Sequence, residues 1–211
     1  GSFMISLFID TALSYIRIAL FRDDTLIDSI NEKCDKNMSA LFDGKVRDIF
    51  ERNGLDYNQV DKIYTVVGPG SFTGIRVGMT FSKVLAFSLN KKITPISELQ
   101  VLASDCDSDL IAPLIDARRG YVYAGVYDKD LNIVVDEKHI LLDDFLNMNN
   151  KVSYVSYDSF EHISAMEPNI NFEKLIIKNK DKEQIDHQVL TPNYLKMTEA
   201  EENLLRKKND N

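Results

Sequence analysis

Along the first thirty positions, apolar residues come in short runs broken by small polar groups, which is the spacing of strands rather than helices. Ile5 to Ile9 is one such run, stopped by Asp10, Thr11 and Ser14. Tyr15-Ile16-Arg17-Ile18-Ala19-Leu20-Phe21 is a second, Asp23-Asp24 is a turn, and Leu26 to Ile30 is a third, so an antiparallel meander is expected. The period then lengthens. Met38, Leu41, Phe42, Val46, Ile49 and Phe50 recur at helical intervals and stop at Asn53-Gly54. Lys62 to Val67 predicts a strand, a loop with three glycines follows, Gly74 to Leu89 predicts a helix, and Ile93 to Ile96 a short strand.

The order βββαβαβ is that of ribonuclease-H-like folds, including each lobe of actin-like and sugar-kinase-like proteins, by analogy of order. An internal repeat points to two such lobes. "LFIDTALSYIRIALFRDD" (Leu7 to Asp24) aligns without a gap on "PLIDARRGYVYAGVYDKD" (Pro113 to Asp130), which sets Asp10 on Asp116 and Tyr15 on Tyr121. After the second meander the pattern weakens. Asp143 to Met148 and Phe160 to Met166 predict short helices, and Val152 to Tyr157 and Leu175 to Lys178 predict strands. The expected α/β architecture is an N-terminal lobe over 4–100 and a smaller, reduced C-terminal lobe over 101–211. Gly1 to Phe3, ahead of Met4, is set aside as a cloning scar.

The predicted helix Gly74 to Leu89 changes the picture, because Ile75, Val77, Met79, Phe81, Val84, Leu85, Phe87 and Leu89 cover nearly its whole circumference. Such a helix is buried on two sides, inside the lobe or against a partner. Composition narrows the partner. Lys+Arg number 25 against Asp+Glu 33, a net charge of −8, so the chain is not expected to grip tRNA or DNA by itself. No apolar run escapes a charge long enough to span a membrane, and a cytoplasmic location is expected. Cys34 and Cys106 are too few for a disulfide framework and lack metal-ligand spacing, so two reduced thiols are expected.

The stretch "VVGPGSFTGIRVG" has the outline of a phosphate cradle, with glycines ahead of a helix N-terminus. Its details fail that reading. Walker A requires Lys after the last glycine, where Ile75 stands; the dinucleotide pattern requires a third glycine where Thr73 stands. His139, His162 and His187 are far apart, none at i, i+4 from another, so a helical two-His metal motif is absent. Asp10 and Asp116 end equivalent strands; such carboxylates either hold magnesium-bound water under phosphates or cap a hairpin turn, and the residues alone leave both open.

The string "GPGSFTGIRVG" (Gly68 to Gly78) resembles the hallmark of the TsaB family, also called YeaZ. "FIDTA", "LIDARRGYVYAGVY" and "TPNYLK" resemble its other landmarks in the same order, and the similarity runs from Met4 to about Lys196. The resemblance implies an actin-like fold and a non-catalytic scaffold in bacterial tRNA threonylcarbamoyladenosine synthesis, paired with the catalytic subunit TsaD and joined by the ATPase TsaE. It implies no cofactor of this chain's own, with ATP or ADP and metal on TsaD or TsaE, and tRNA met only through the complex. Met38, Leu41, Phe42, Lys45, Ile49, Val77 and Phe81 are then expected at the TsaD or homodimer interface. Gly68, Pro69, Gly70, Ser71, Phe72, Thr73, Gly74 and Arg76 form the signature loop. Asp10, Thr11, Asp116 and Arg118 are candidate remnants of a nucleotide site. Two departures stand out: Met38-Ser39-Ala40 where many members carry His-Ser-Glu, and Lys196 where Arg is usual. The competing readings are a stand-alone actin-like ATPase or sugar kinase using Asp10 and Asp116 around Mg-ATP, and a metallopeptidase, against which the missing two-His motif argues.

Overall fold

The computed structural model describes residues 3–193, 195, 207 and 210. Three antiparallel strands open the chain: β1 (Ile5–Asp10), β2 (Tyr15–Arg22) and β3 (Thr25–Lys33). Helix α1 (Met38–Arg52) follows, ended by Asn53 and by Gly54 at φ 63°. Strand β4 (Val60–Val66), helix α2 (Phe72–Leu89) and strand β5 (Ile93–Ile96) complete a five-stranded sheet of order β3-β2-β1-β4-β5. Strands β1, β4 and β5 run parallel to one another. This is the predicted order, with β3 and α2 each longer than their apolar cores suggested.

Helix α3 (Glu98–Ala103), which the apolar spacing did not reveal, carries the chain to a second sheet. Ser97 caps it by accepting from Leu99 N–H. The second sheet holds β6 (Leu110–Asp116), β7 (Tyr121–Asp128), β8 (Ile133–Leu141) and, after α4 (Leu142–Met148), β9 (Ser153–Val155), in the order β8-β7-β6-β9. It repeats the first sheet's order with one strand fewer, an α/β arrangement with a reduced second half.

Two expected elements are corrected. The helix expected over Phe160 to Met166 is irregular chain: His162 takes a left-handed φ of 70°, and Met166 forms a bridge to Val155 instead. The strand expected over Leu175 to Lys178 lies inside a helix, α5 (Phe172–Asn179). Asn171 caps that helix by accepting from Lys174 N–H, and Phe172, Leu175, Ile176 and Asn179 recur at helical spacing and are buried.

The repeat is present, with one difference. β1 and β6 both end in Asp, and each carboxylate accepts the N–H two residues on: Ala12 for Asp10, Arg118 for Asp116. The pairing registers differ, however: Asp10 faces Arg17, while Asp116 faces Val122. The second turn is one residue shorter, so the gapless alignment breaks there and Val122 stands where the first hairpin has Arg17.

One hydrophobic core runs through both sheets, joining Leu7, Phe8, Ile9 and Ile63 to Ile111, Ile115, Tyr127 and Val155. Helix α5, late in the chain, packs on the first sheet, with Phe172 edge-on to Phe8 at 5.4 Å between ring centroids. A smaller cluster around Leu114, Val122 and Phe145 fills the far side of the second sheet.

Candidate functional site

The glycine loop closes on the tip of β1. Ser71 N–H donates to the Ala12 carbonyl at 2.7 Å, and Ser71 Oγ accepts from Gly74 N–H to cap α2. Thr11 inserts its hydroxyl into the first turns of α2, donating to Gly74 C=O at 2.5 Å and accepting from Gly78 N–H at 2.9 Å. The glycines are needed because the chain itself presses on them. A Cβ at Gly70 would lie 2.2 Å from the Ala12 oxygen, and one at Gly74 would lie 2.5 Å from the Thr11 oxygen. Gly68, at φ 111° and joined to Pro69 by a cis peptide bond, has the Asn193 carbonyl against it; Asn193 N–H donates to Val67 C=O. The Ser71 and Gly74 N–H groups are spent within the chain, and carbonyl oxygens of Thr11, Ala12 and Asn193 stand close to the glycines, which disfavours an anion there. The loop does not fit a nucleotide.

The first-lobe candidate remnants are likewise engaged. Asp10 is buried, and its second carboxylate oxygen accepts from Arg17 Nη1 at 3.0 Å; the same nitrogen donates to Glu98 Oε1 at 3.1 Å. Arg17 Nε donates to Asn31 Oδ1, and Nη2 donates to the Tyr157 hydroxyl oxygen at 2.6 Å. The guanidinium also lies over the Tyr15 ring at 4.5 Å. Burial and the Asp10 charge hold the Glu98 carboxyl well above the usual carboxylate range, against the pull of Arg17. Burial opposes the charge on Arg17, but Asp10 and Glu98 outweigh it and raise its pKa. Asp116 and Arg118, by contrast, are exposed at the tip of the second meander. No group of three or more His, Cys, Asp or Glu among the described residues could hold a metal ion. Arg17, Glu98 and Tyr157 were missed. The available signal was Arg17 itself, a charge inside an apolar strand that must find buried partners.

The third region is the outer face of α1 and α2. Helix α2 packs one side on β4 and β1, and its other side meets α1, where Phe42 and Phe81 touch edge to face at 5.4 Å. Two interface candidates are corrected here. Phe42 and Ile49 are 0% exposed, because they turn inward from α1 and cannot reach a partner. Leu41 is 46% exposed, while Met38, Val77 and Phe81 are half-buried. Lys45 of α1 pairs with Glu32 of β3 at 2.7 Å. Farther along α2, Val84 and Phe87 stand out at 61% and 70% exposure, and at its start the Arg76 guanidinium covers the exposed Phe72 ring at 3.9 Å. Lys196 lies outside the described residues. No helix among the described residues is long and apolar enough to cross a membrane.

A family model described as TsaD, tRNA N6-adenosine threonylcarbamoyltransferase, matches residues 30–180. The tRNA threonylcarbamoyladenosine biosynthesis protein TsaB of Bacillus subtilis is 33% identical over 221 aligned positions, covering 94% of this chain and 96% of that one. The protein of the same name from Escherichia coli is 30% identical over 59% of this chain and 55% of its own. The crystal structure of a Pseudomonas aeruginosa protein with similarity to peptidase YeaZ shares the fold at a TM-score of 0.78, with 21% identity, over 92% of this chain and all of the other. YeaZ from the same organism gives 0.77 at 22% identity, over 91% of this chain and all of its own. With a relative aligned over nearly its whole length, and with the signature loop folded as one unit against β1, this chain belongs to the TsaB family.

Proposed function

We propose that this chain is the non-catalytic subunit of a tRNA threonylcarbamoyladenosine-forming assembly, supporting a TsaD-type transferase rather than carrying out the transfer. The observation that carries this reading is the closed glycine loop: carbonyls of Thr11, Ala12 and Asn193 stand close against Gly74, Gly70 and Gly68. Asp10 is tied to Arg17 and Thr11 is built into α2, so a stand-alone ATPase or sugar kinase would lack its phosphate and metal groups. The proposed contact is Met38, Leu41 and Lys45 of α1 with Val77 and Phe81 of α2, met by the corresponding helices of TsaD, or by a second copy when TsaD is absent. TsaE joins this pair, nucleotide and metal reside on TsaD or TsaE, and tRNA is held by the complex, since a chain of net charge −8 repels phosphates. The setting is the cytoplasm, where tRNA is modified.

Reconstitution tests the reading. The chain is mixed with TsaD, TsaE, tRNA and the threonylcarbamoyl-adenylate precursors, and modified adenosine is measured with and without it. The expected result is modification that depends on this chain, with no ATP turnover by the chain alone. Turnover by the purified chain, abolished by Asp10→Asn, would restore the enzyme reading.

A further inference from the structure

We propose that Arg17 is an inter-sheet lock: held by Asp10 on β1 and by Glu98 at the start of α3, it fixes the second sheet at a set angle through the Tyr157 hydroxyl. The proposal is independent of which protein the chain assembles with.

The cleft between the two sheets opens beside Tyr15 and Tyr157 as a cavity of about 410 Å³ that also includes Lys33, Ser71, Leu114 and Glu167. In a two-lobed fold, a cleft of this kind is where rigid halves hinge about a ligand. Here the floor is bridged. Arg17 is 0% exposed, and its donors reach β1, β3, α3 and Tyr157. On the opposite side Tyr157 is held as firmly. Ser156 Oγ donates to Leu114 C=O at 2.6 Å, Asp158 N–H donates to Ser156 Oγ, and Asp158 Oδ2 accepts from Asp116 N–H at 2.8 Å. The segment 156–158 is thus fastened to the tip of β6, and any opening of the cleft must pull Tyr157 from Arg17. The Tyr15 and Tyr157 rings stack at 4.7 Å, which adds apolar contact beside the polar tie.

The lock also accounts for the charge. A buried guanidinium must be paired: Asp10 on β1 pairs it, and Glu98 at the start of α3 accepts from the same nitrogen. Tyr157 is not needed for charge balance. Its bond to Nη2 serves orientation, and a charged donor makes it stronger than a neutral one.

Distance measurement between spin labels decides this. Labels are placed on exposed positions of the two halves, as Glu51→Cys on α1 and Asp144→Cys on α4, with Cys34 and Cys106 changed to Ser and labelled chains diluted in unlabelled ones. A single narrow distance distribution is expected for the parent. Tyr157→Phe keeps the ring and the ion trio and removes only the hydroxyl; it should broaden the distribution roughly twofold or more, as hinge motion is released. Arg17→Met should broaden it at least as much. If Arg17→Met does not fold, Tyr157→Phe alone decides. A Tyr157→Phe distribution as narrow as the parent's overturns the proposal, whatever Arg17→Met does.

Discussion

Replacing Gly70 by Ala should damage the fold far more than a single methyl group suggests. The new Cβ would stand 2.2 Å from the Ala12 oxygen and 2.9 Å from its carbon. These are backbone atoms, so no side-chain rotation relieves the overlap. The loop and the β1 tip must separate, and the Ser71 N–H bond to Ala12 C=O, now 2.7 Å, lengthens or breaks. Overpacking costs about 1–3 kcal/mol. A lost hydrogen bond adds about 1 kcal/mol. At about 2–4 °C per kcal/mol for a chain of this size, a loss of about 2–4 kcal/mol lowers the melting temperature by roughly 4–16 °C. Circular dichroism melts would read it, with Gly44→Ala as the control. Gly44 lies within α1 with nothing within 4 Å of an added Cβ, so that change should stabilise by about 1 kcal/mol through helix propensity. A Gly70→Ala protein that melts with or above the parent would refute the account of why the loop is glycine-rich, and would reopen it as a cradle with room to spare.

Thr11→Val keeps the shape and removes the hydroxyl shared by Gly74 C=O and Gly78 N–H, and should cost about 1–3 kcal/mol in urea unfolding; an unchanged midpoint would mean that α2 satisfies both groups unaided. Leu41→Glu should leave the melt nearly unchanged and abolish both TsaD pull-down and self-association by light scattering, whereas Phe42→Ala should lose about 3–5 kcal/mol of stability because it empties the core. Asp10→Asn strips a buried counter-charge from Arg17 and should cost about 3–5 kcal/mol near neutral pH. Glu98→Gln should show the opposite pH behaviour. Burial and the Asp10 charge hold the Glu98 proton to higher pH in the folded chain than in the unfolded one, so Glu98 weakens the fold as pH rises past about 4.5. The stability of Glu98→Gln relative to the parent should therefore climb with pH in denaturant melts, and a flat difference would contradict an upward-shifted Glu98 carboxyl.

The first sheet was legible because each of its elements announces itself locally. Strand periods change to a helix period at Met38, and Asn53-Gly54 ends the helix where the structure ends it. What the sequence withheld was mostly non-local. Phe42 and Ile49 share a helix with Leu41, and only the packing of α1 on α2 separates the inward face from the outward one. Glu98 and Tyr157 lie far along the chain from Arg17, and no spacing rule joins them. Helix α5 is a different miss, since Asn171 and the period of Phe172, Leu175 and Ile176 were visible, and a short apolar run was mistaken for a strand.

The docking of α5 on the first sheet has a consequence for how the chain is made. Phe8 leaves the ribosome well before Phe172, which packs on it, and before Glu173, whose carboxylate accepts from Leu26 N–H. At ~5–20 residues per second the wait between them is on the order of ten seconds. During that wait the nascent first sheet stands with one face bare, able to pair strands but not to seal them. Truncation before α5 would thus leave a first sheet that is formed but never covered, open to chaperone capture throughout.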